Sequence, residues 1–115
     1  MNGIHKTYYS DGSLASVGKY TNGKMDGLWK HYLKNGQLRA QGKFANGKCH
    51  GEWKWYRENG KPWQIGHFDH NIKHESWKIF QKNGKLFSES IFRNGKRVSE
   101  KRFDIKGKLK SSKIR

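Results

Sequence analysis

Rows of 24 residues starting at Gly18, Gly42, Gly66 and Ser90 superimpose without a gap until near residue 105. A unit this short, returning at fixed spacing, cannot bury its apolar face alone, so the chain must fold as a quasi-one-dimensional array in which each row packs on its neighbours. The first row contains Gly18-Lys19-Tyr20-Thr21-Asn22-Gly23-Lys24, then Asp26-Gly27-Leu28-Trp29-Lys30-His31-Tyr32 and Asn35-Gly36-Gln37-Leu38. In the same columns the second row has Phe44, Asn46-Gly47, Gly51, Trp53, Tyr56 and Asn59-Gly60, and the third Phe68, Trp77, Phe80, Asn83-Gly84 and Leu86. Residues 1–17 are the second half of an earlier row and residues 90–110 a decayed last one, which gives a single domain over 1–110 and a basic tail over 111–115.

Asn-Gly occurs seven times. Flanked by apolar alternation, this pair is the strongest short-range signal for a type I′ hairpin turn, because both central residues need a positive φ. Type I′ turns are therefore expected at Asn22-Gly23, Asn35-Gly36, Asn46-Gly47 and Asn59-Gly60. Each row becomes two strands and two turns, and the fold class is all-β: an elongated single-layer antiparallel array of about five β-hairpin repeats. Two strands advance the array by about 9.6 Å, so a residue meets its copy in the next row at that distance. The small column Gly18, Gly42, Gly66, Ser90 suits a place where an aromatic ring crosses the backbone. Trp29 and Tyr32 are three apart and face opposite sides of a regular strand, which calls for either a bulge or a sheet with aromatics on both faces.

The net charge of +16 and the scarcity of aliphatic residues match the composition of a disordered chain. The regular recurrence of the aromatic residues argues against disorder, since an unfolded chain has no reason to keep them in register. No stretch approaches the roughly 18 consecutive apolar residues of a membrane span and the start has no apolar leader, so a cytoplasmic protein is expected. The single Cys49 can form no internal disulfide, and stability must come from the fold.

The pattern G-K-Y-x-N-G-K-x-x-G-x-W-K-x-Y-x-x-N-G-x-L resembles the MORN repeat, in the variant carried by the YwqK family of bacterial antitoxin-like proteins. The match is strong for the rows at Gly18 and Gly42 and fair at Gly66, where Glu75 replaces the Gly27 and Gly51 column; it is weak after Val98. The resemblance implies a single-layer array of β-hairpins used for protein contacts, or for phospholipid contacts, with no catalytic residues.

Charge is polarised along the array: the segment 18–41 carries +4, the segment 66–89 carries +1 and residues 90–115 carry +8. Lys30, Lys54, Lys78 and Arg102 share one 24-residue column, a cation ladder whose summed field suits a polyanion. Exposed lysine also keeps sheet edges from aggregating, but solubility of a small domain needs a net charge of only about 2 to 8. Trp55 and Trp63 stand in columns that elsewhere hold His31 and Ile79, or Arg39 and Phe87, so the repeat does not require tryptophan there. With Arg57 they are candidate binding residues, joined by Arg93, Lys96, Arg97, Lys101, Lys106, Lys108 and Lys110 of the basic end.

His67, His70 and His74 lie beside Asp69, with Cys49-His50 one row earlier. Row copies about 10 Å apart cannot share an ion bound at 2.0–2.3 Å, and no paired metal-ligand spacing is present, so no metal site is expected. The acids are scattered and the glycines belong to hairpins rather than to a phosphate loop before a helix, so neither catalysis nor a cofactor is expected. The expected function is a non-enzymatic, antitoxin-like or inhibitory binding module that docks on an acidic or nucleic-acid-handling protein. Direct RNA or DNA binding is the alternative, and an adaptor for anionic lipid the third.

Overall fold

Each row supplies two apolar-alternating segments separated by turn residues, and the chain folds back on itself at every one. The computed structural model describes residues 2–114; Met1 and Arg115, the last residue of the expected tail, lie outside the described residues. Its strands are β1 (Gly3–Tyr8), β2 (Leu14–Thr21), β3 (Lys24–Tyr32), β4 (Leu38–Ala45), β5 (Lys48–Tyr56), β6 (Pro62–Asp69), β7 (Ile72–Lys73), β8 (Glu75–Phe80), β9 (Leu86–Arg93), β10 (Lys96–Phe103) and β11 (Leu109–Ile114). They form one antiparallel sheet in chain order, with the short β7 pairing on β6 alongside β8. The sheet measures 47 × 32 × 15 Å, the thickness of a single layer with side chains on both faces. The stretch expected as a tail is strand through Ile114, so β11 closes the array as a fully exposed edge. Among the described residues no helix is long and apolar enough to cross a membrane.

The two edges of the sheet use different turns, which corrects half of the type I′ expectation. Along one edge Asn22, Asn46, His70 and Asn94 have φ near 50°, each followed by a second residue of positive φ, as type I′ demands. Along the other edge Asn35 and Asn59 are not left-handed; only Gly36 and Gly60 are. There Gly36 N–H donates to Leu33 C=O at 3.0 Å and Leu33 N–H to Gln37 C=O at 2.8 Å, a type I turn closed by a glycine bulge. The asparagine side chain serves instead as a local acceptor: Asn35 Oδ1 takes the Gln37 N–H at 2.9 Å and Asn59 Oδ1 the Lys61 N–H at 2.9 Å.

Of the two solutions to the Trp29 and Tyr32 problem the sheet takes the two-faced one, and the bulge of β3 lies ahead of Trp29 rather than between the two residues. Between the pairs Lys19↔Asp26 and Val17↔Lys30, Gly18 alone on β2 faces Gly27, Leu28 and Trp29 on β3, two extra residues. Between Lys43↔His50 and Gly42↔Trp53, Gly51 and Glu52 are likewise extra on β5. The positive φ of Gly27 (71°), Gly51 (81°) and Glu75 (60°) marks these bulges. Trp29 and Tyr32 nevertheless end on opposite faces, so the sheet carries aromatics on both.

In β10 the bulge loses a residue: Phe92 pairs with Arg97 and Ile91 with Ser99, leaving only Val98 extra. Everything after it advances by one position. Loop-starting residues Tyr9, Leu33, Arg57 and Gln81 follow the 24-residue period, while the next is Asp104. The rows therefore fall out of step at 97–99, earlier than the expected residue 105. One residue is enough to turn every later side chain to the other face.

The core lies on one face. Trp29, Trp53 and Trp77 are 2, 5 and 6 % exposed, and each ring lies flat across a glycine of the preceding strand. A Cβ at Gly18 or Gly42 would sit 1.9 Å from the ring of Trp29 or Trp53, and one at Gly66 2.3 Å from Trp77. Each indole N–H donates to a backbone carbonyl, of Lys19, Lys43 and His67, at 3.0–3.1 Å. Tyr20, Trp29, Phe44, Trp53, Phe68, Trp77 and Phe92 thus form a continuous edge-to-face series with centroids 5.0–6.5 Å apart, within the range where such pairs are favourable.

Candidate binding surface

Cross-strand pairing puts partners on the same face, so the face opposite the tryptophans can be read straight across the sheet. One row runs Lys6, Val17, Lys30, Gln41, Lys54, Ile65, Lys78, Glu89, Lys101 and Ser112. A lysine thus recurs on every second strand, about 9.6 Å apart. Lys101, not Arg102, ends the ladder, because the one-residue bulge in β10 shifts the frame; this corrects the column drawn from sequence. Lys6 belongs to the row as well, and counting one 24-residue period back from Lys30 finds it.

Lys54 lies 3.5 Å from Glu52 and Lys78 4.0 Å from Glu89, so two lysines of the row are partly neutralised. Lys6, Lys30 and Lys101 have no ion-pair partner among the described residues. Apolar groups line the same surface: Ile4, Val17, Leu28 and Tyr32 surround a shallow concavity beside Lys30, and Leu28 borders another beside Lys54.

The remaining predicted residues are distributed elsewhere. Trp55 is half-buried on the core face, stacked between Trp53 and Trp77 at 6.0 and 5.7 Å with interplanar angles of 30°. Trp63 is 44 % exposed at the bulge after Tyr56↔Pro62. Phe87, in the same repeat column and 42 % exposed, is a second apolar group at this edge; its column mate Trp63 is the sequence signal for it. Arg57 is held by the fold: its Nη2 donates to Phe80 C=O in the next row at 2.8 Å.

At the basic end Arg97 and Arg102 belong to the tryptophan face. They clamp Glu100 at 3.3 and 3.2 Å, and Glu100, opposite Ser90, takes the place that Trp53 takes opposite Gly42 in β5. Arg97 also lies 5.6 Å over the Phe92 ring. Arg93 and Lys96 flank the Asn94-Gly95 turn, while Lys106 and Lys108 sit on the last loop, their N–H groups both donating to Asp104 Oδ1 at 2.9 Å. Lys110 is exposed on β11. The structure therefore divides the basic end between two faces and a loop, and only Lys101 extends the ladder.

On the tryptophan face His31 stacks on Trp29 with its pKa lowered by burial and, secondarily, by Arg39. Burial raises the pKa of the half-buried Cys49 thiol, which disfavours the reactive thiolate. At the type I′ edge the histidines gather: His70 Nδ1 is 2.7 Å and His50 Nδ1 3.8 Å from Asp69 Oδ1, and the His50 and His70 rings are 4.7 Å apart. The Asp69 carboxyl is held below its usual range by the His70 hydrogen bond first, then by the neighbouring imidazoles. His50 and Asp69, together with His67, Phe68 and His74, border a shallow hollow.

The sequence profile of the MORN repeat variant matches residues 1–22, 25–46 and 50–70, more than half the chain. No curated protein matches in sequence. Among solved structures, the crystal structure of TarM is 12 % identical with a TM-score of 0.51, over 77 % of this chain and 18 % of that one. A mutant of S. aureus TarM in complex with Fondaparinux, alpha-GlcNAc-glycerol and UDP is 10 % identical with a TM-score of 0.53, over 96 % of this chain and 19 % of that one. At such identities the likeness is one of fold alone, and this chain spans less than a fifth of the TarM chains it matches.

Proposed function

The chain belongs to the MORN repeat variant family, and from that premise we propose that it is a non-catalytic docking module whose lysine-bearing face binds an acidic surface on a partner protein. MORN repeats are generally protein- or membrane-binding modules. The observation that carries the choice of partner is the row Lys6, Lys30, Lys54, Lys78 and Lys101, five cations on one face at a common spacing. A rigid sheet fixes that spacing before binding, so little side-chain entropy beyond the lysine stems is lost on contact. The apolar lining by Val17, Leu28, Tyr32 and Ile65 supplies area that salt does not screen, which favours a folded partner over a bare polyanion. An antitoxin-like or inhibitory role, in the manner of the YwqK family, would follow if the surface covered is the working site of the partner.

Direct binding of RNA or DNA is the second reading, favoured by the +8 carried by residues 90–115. Salt separates the two, since nucleic-acid affinity falls steeply and linearly with log salt whereas a contact centred on apolar area persists. The test is affinity capture from nuclease-treated source cells with two triple variants of equal charge change. Lys30→Glu/Lys54→Glu/Lys78→Glu should abolish capture of the parent's partner, and Lys34→Glu/Lys61→Glu/Lys82→Glu, on the loop edge, should retain it. Equal loss in both variants, or capture that nuclease removes, overturns the protein-docking reading.

A further inference from the structure

We propose that His50, Asp69 and His70 form a binding site for a divalent transition-metal ion of the zinc class. One ligand atom from each residue lies within 4.8 Å of the others, and both ring nitrogens converge on a single carboxylate oxygen. Ions of this class are bound at about 2.0–2.2 Å by imidazole and carboxylate, which sets ligand atoms roughly 3.4 Å apart around one metal. All three side chains are exposed, so rotamer adjustment closes the remaining gap without moving the backbone. Two imidazoles and one carboxylate select zinc, copper or nickel over magnesium or calcium, and water completes the coordination.

The backbone brings the groups together by a mechanism the 24-residue spacing does not reveal. His50 and His70 are twenty residues apart rather than a full period, because the type I′ turn of one row stacks back on a strand of the row before. Asn71 N–H donates to Cys49 C=O at 2.8 Å, and Cys49 N–H donates to Asn71 Oδ1 at 2.7 Å. This pair of hydrogen bonds clamps the turn beside His50.

Polar turn residues alone do not account for the arrangement. The same stacking occurs where Gly47 N–H meets Met25 C=O and Gly95 N–H meets Lys73 C=O, yet there the turns are Asn46-Gly47 and Asn94-Gly95 and no imidazole pair forms. In this row His70 and Asn71 replace the asparagine and glycine, holding φ of 49° and 74° without the residue that adopts them most freely. The His50 and His70 rings lie 4.7 Å apart, tilted by 45°, with the Asp69 carboxylate reaching both.

The experiment is Zn²⁺ titration by calorimetry on tag-free protein in a non-chelating buffer, for the parent, His50→Ala, His70→Asn and the double variant. His70→Asn restores the residue used at the equivalent turns, so it folds. Loss of an outer partner alone weakens metal affinity about 10–100-fold, and removing a ligand should do at least as much. The expected result is one ion per chain, weakened at least about tenfold by either single change and by Asp69→Asn, with His5→Ala unaffected. Parent and double variant binding Zn²⁺ alike, or His5→Ala losing as much as His70→Asn, overturns the proposal. Retained capture of the partner by the His50/His70 double variant would leave the docking reading standing whatever the metal result.

Discussion

Replacing Trp53 with alanine removes the central ring of the aromatic series, and the structure fixes what that costs. The side chain is 5 % exposed, its indole N–H donates to Lys43 C=O at 3.0 Å, and it meets Phe44 edge-to-face at 5.1 Å. Large-to-small changes of a buried tryptophan cost about 3–5 kcal/mol, against a total stability of about 5–15 kcal/mol for a domain. The ring lies on Gly42, where a Cβ would fall 1.9 Å from its nearest atom. Gly42→Ala should therefore cost at least about 1–3 kcal/mol by overpacking. The informative measurement is the double-mutant cycle from urea melts, read as midpoint shifts at constant slope. With Trp53 already gone, the alanine methyl at position 42 meets empty space, so the double variant should be close to Trp53→Ala alone and the coupling about 1–3 kcal/mol. Additivity within about 0.5 kcal/mol would refute the contact, and a Trp53→Ala shift of a few tenths would place that ring at the surface.

His31 is less readily protonated in the folded chain than its ordinary value of 6.5, through burial first and Arg39 second. The unfolded chain then takes up the proton first, so stability from this group is complete above about pH 6.5 and is lost as pH falls toward the folded value. His31→Phe, in a column that also holds Trp55 and Ile79, should flatten the dependence of the melting midpoint between about pH 8 and about pH 5; a slope identical to that of the parent removes His31 as its source. Substituting serine for Lys106, Lys108, Lys110 and Lys113 should leave the melt within about 0.5 kcal/mol of the parent, since all four are exposed. A larger loss would show that the last hairpin, β10 to β11, holds the array together. Asn46→Ala should cost about 1–2 kcal/mol, because φ there is 51° and alanine pays the left-handed penalty; an unchanged denaturation midpoint would mean that the turn can refold around it.

The left-handed turn at His70-Asn71 carries no Asn-Gly pair and is visible only in the backbone, but the period, the Asn-Gly turns and the columns that form the core are legible in the residues alone. These rest on local chemistry: Asn-Gly pairs admit left-handed backbone, and small residues every 24 positions leave room for a ring. The sequence did not distinguish the two turn types, since Asn22-Gly23 and Asn35-Gly36 are the same dipeptide and only the cross-strand bonding around them differs. Nor did it fix which cations share a face. That depends on bulge width, two extra residues in β3 and β5 but one in β10, and bulge width is set by which amide meets which carbonyl across the sheet. Because side chains alternate with a period of two, the single missing residue takes Arg102 off the ladder and puts Lys101 on it. The meeting of His50 with Asp69 and His70 is tertiary for the same reason: a turn folded onto the strand of the preceding row shortens a spacing that the repeat, read along the chain, makes far too long.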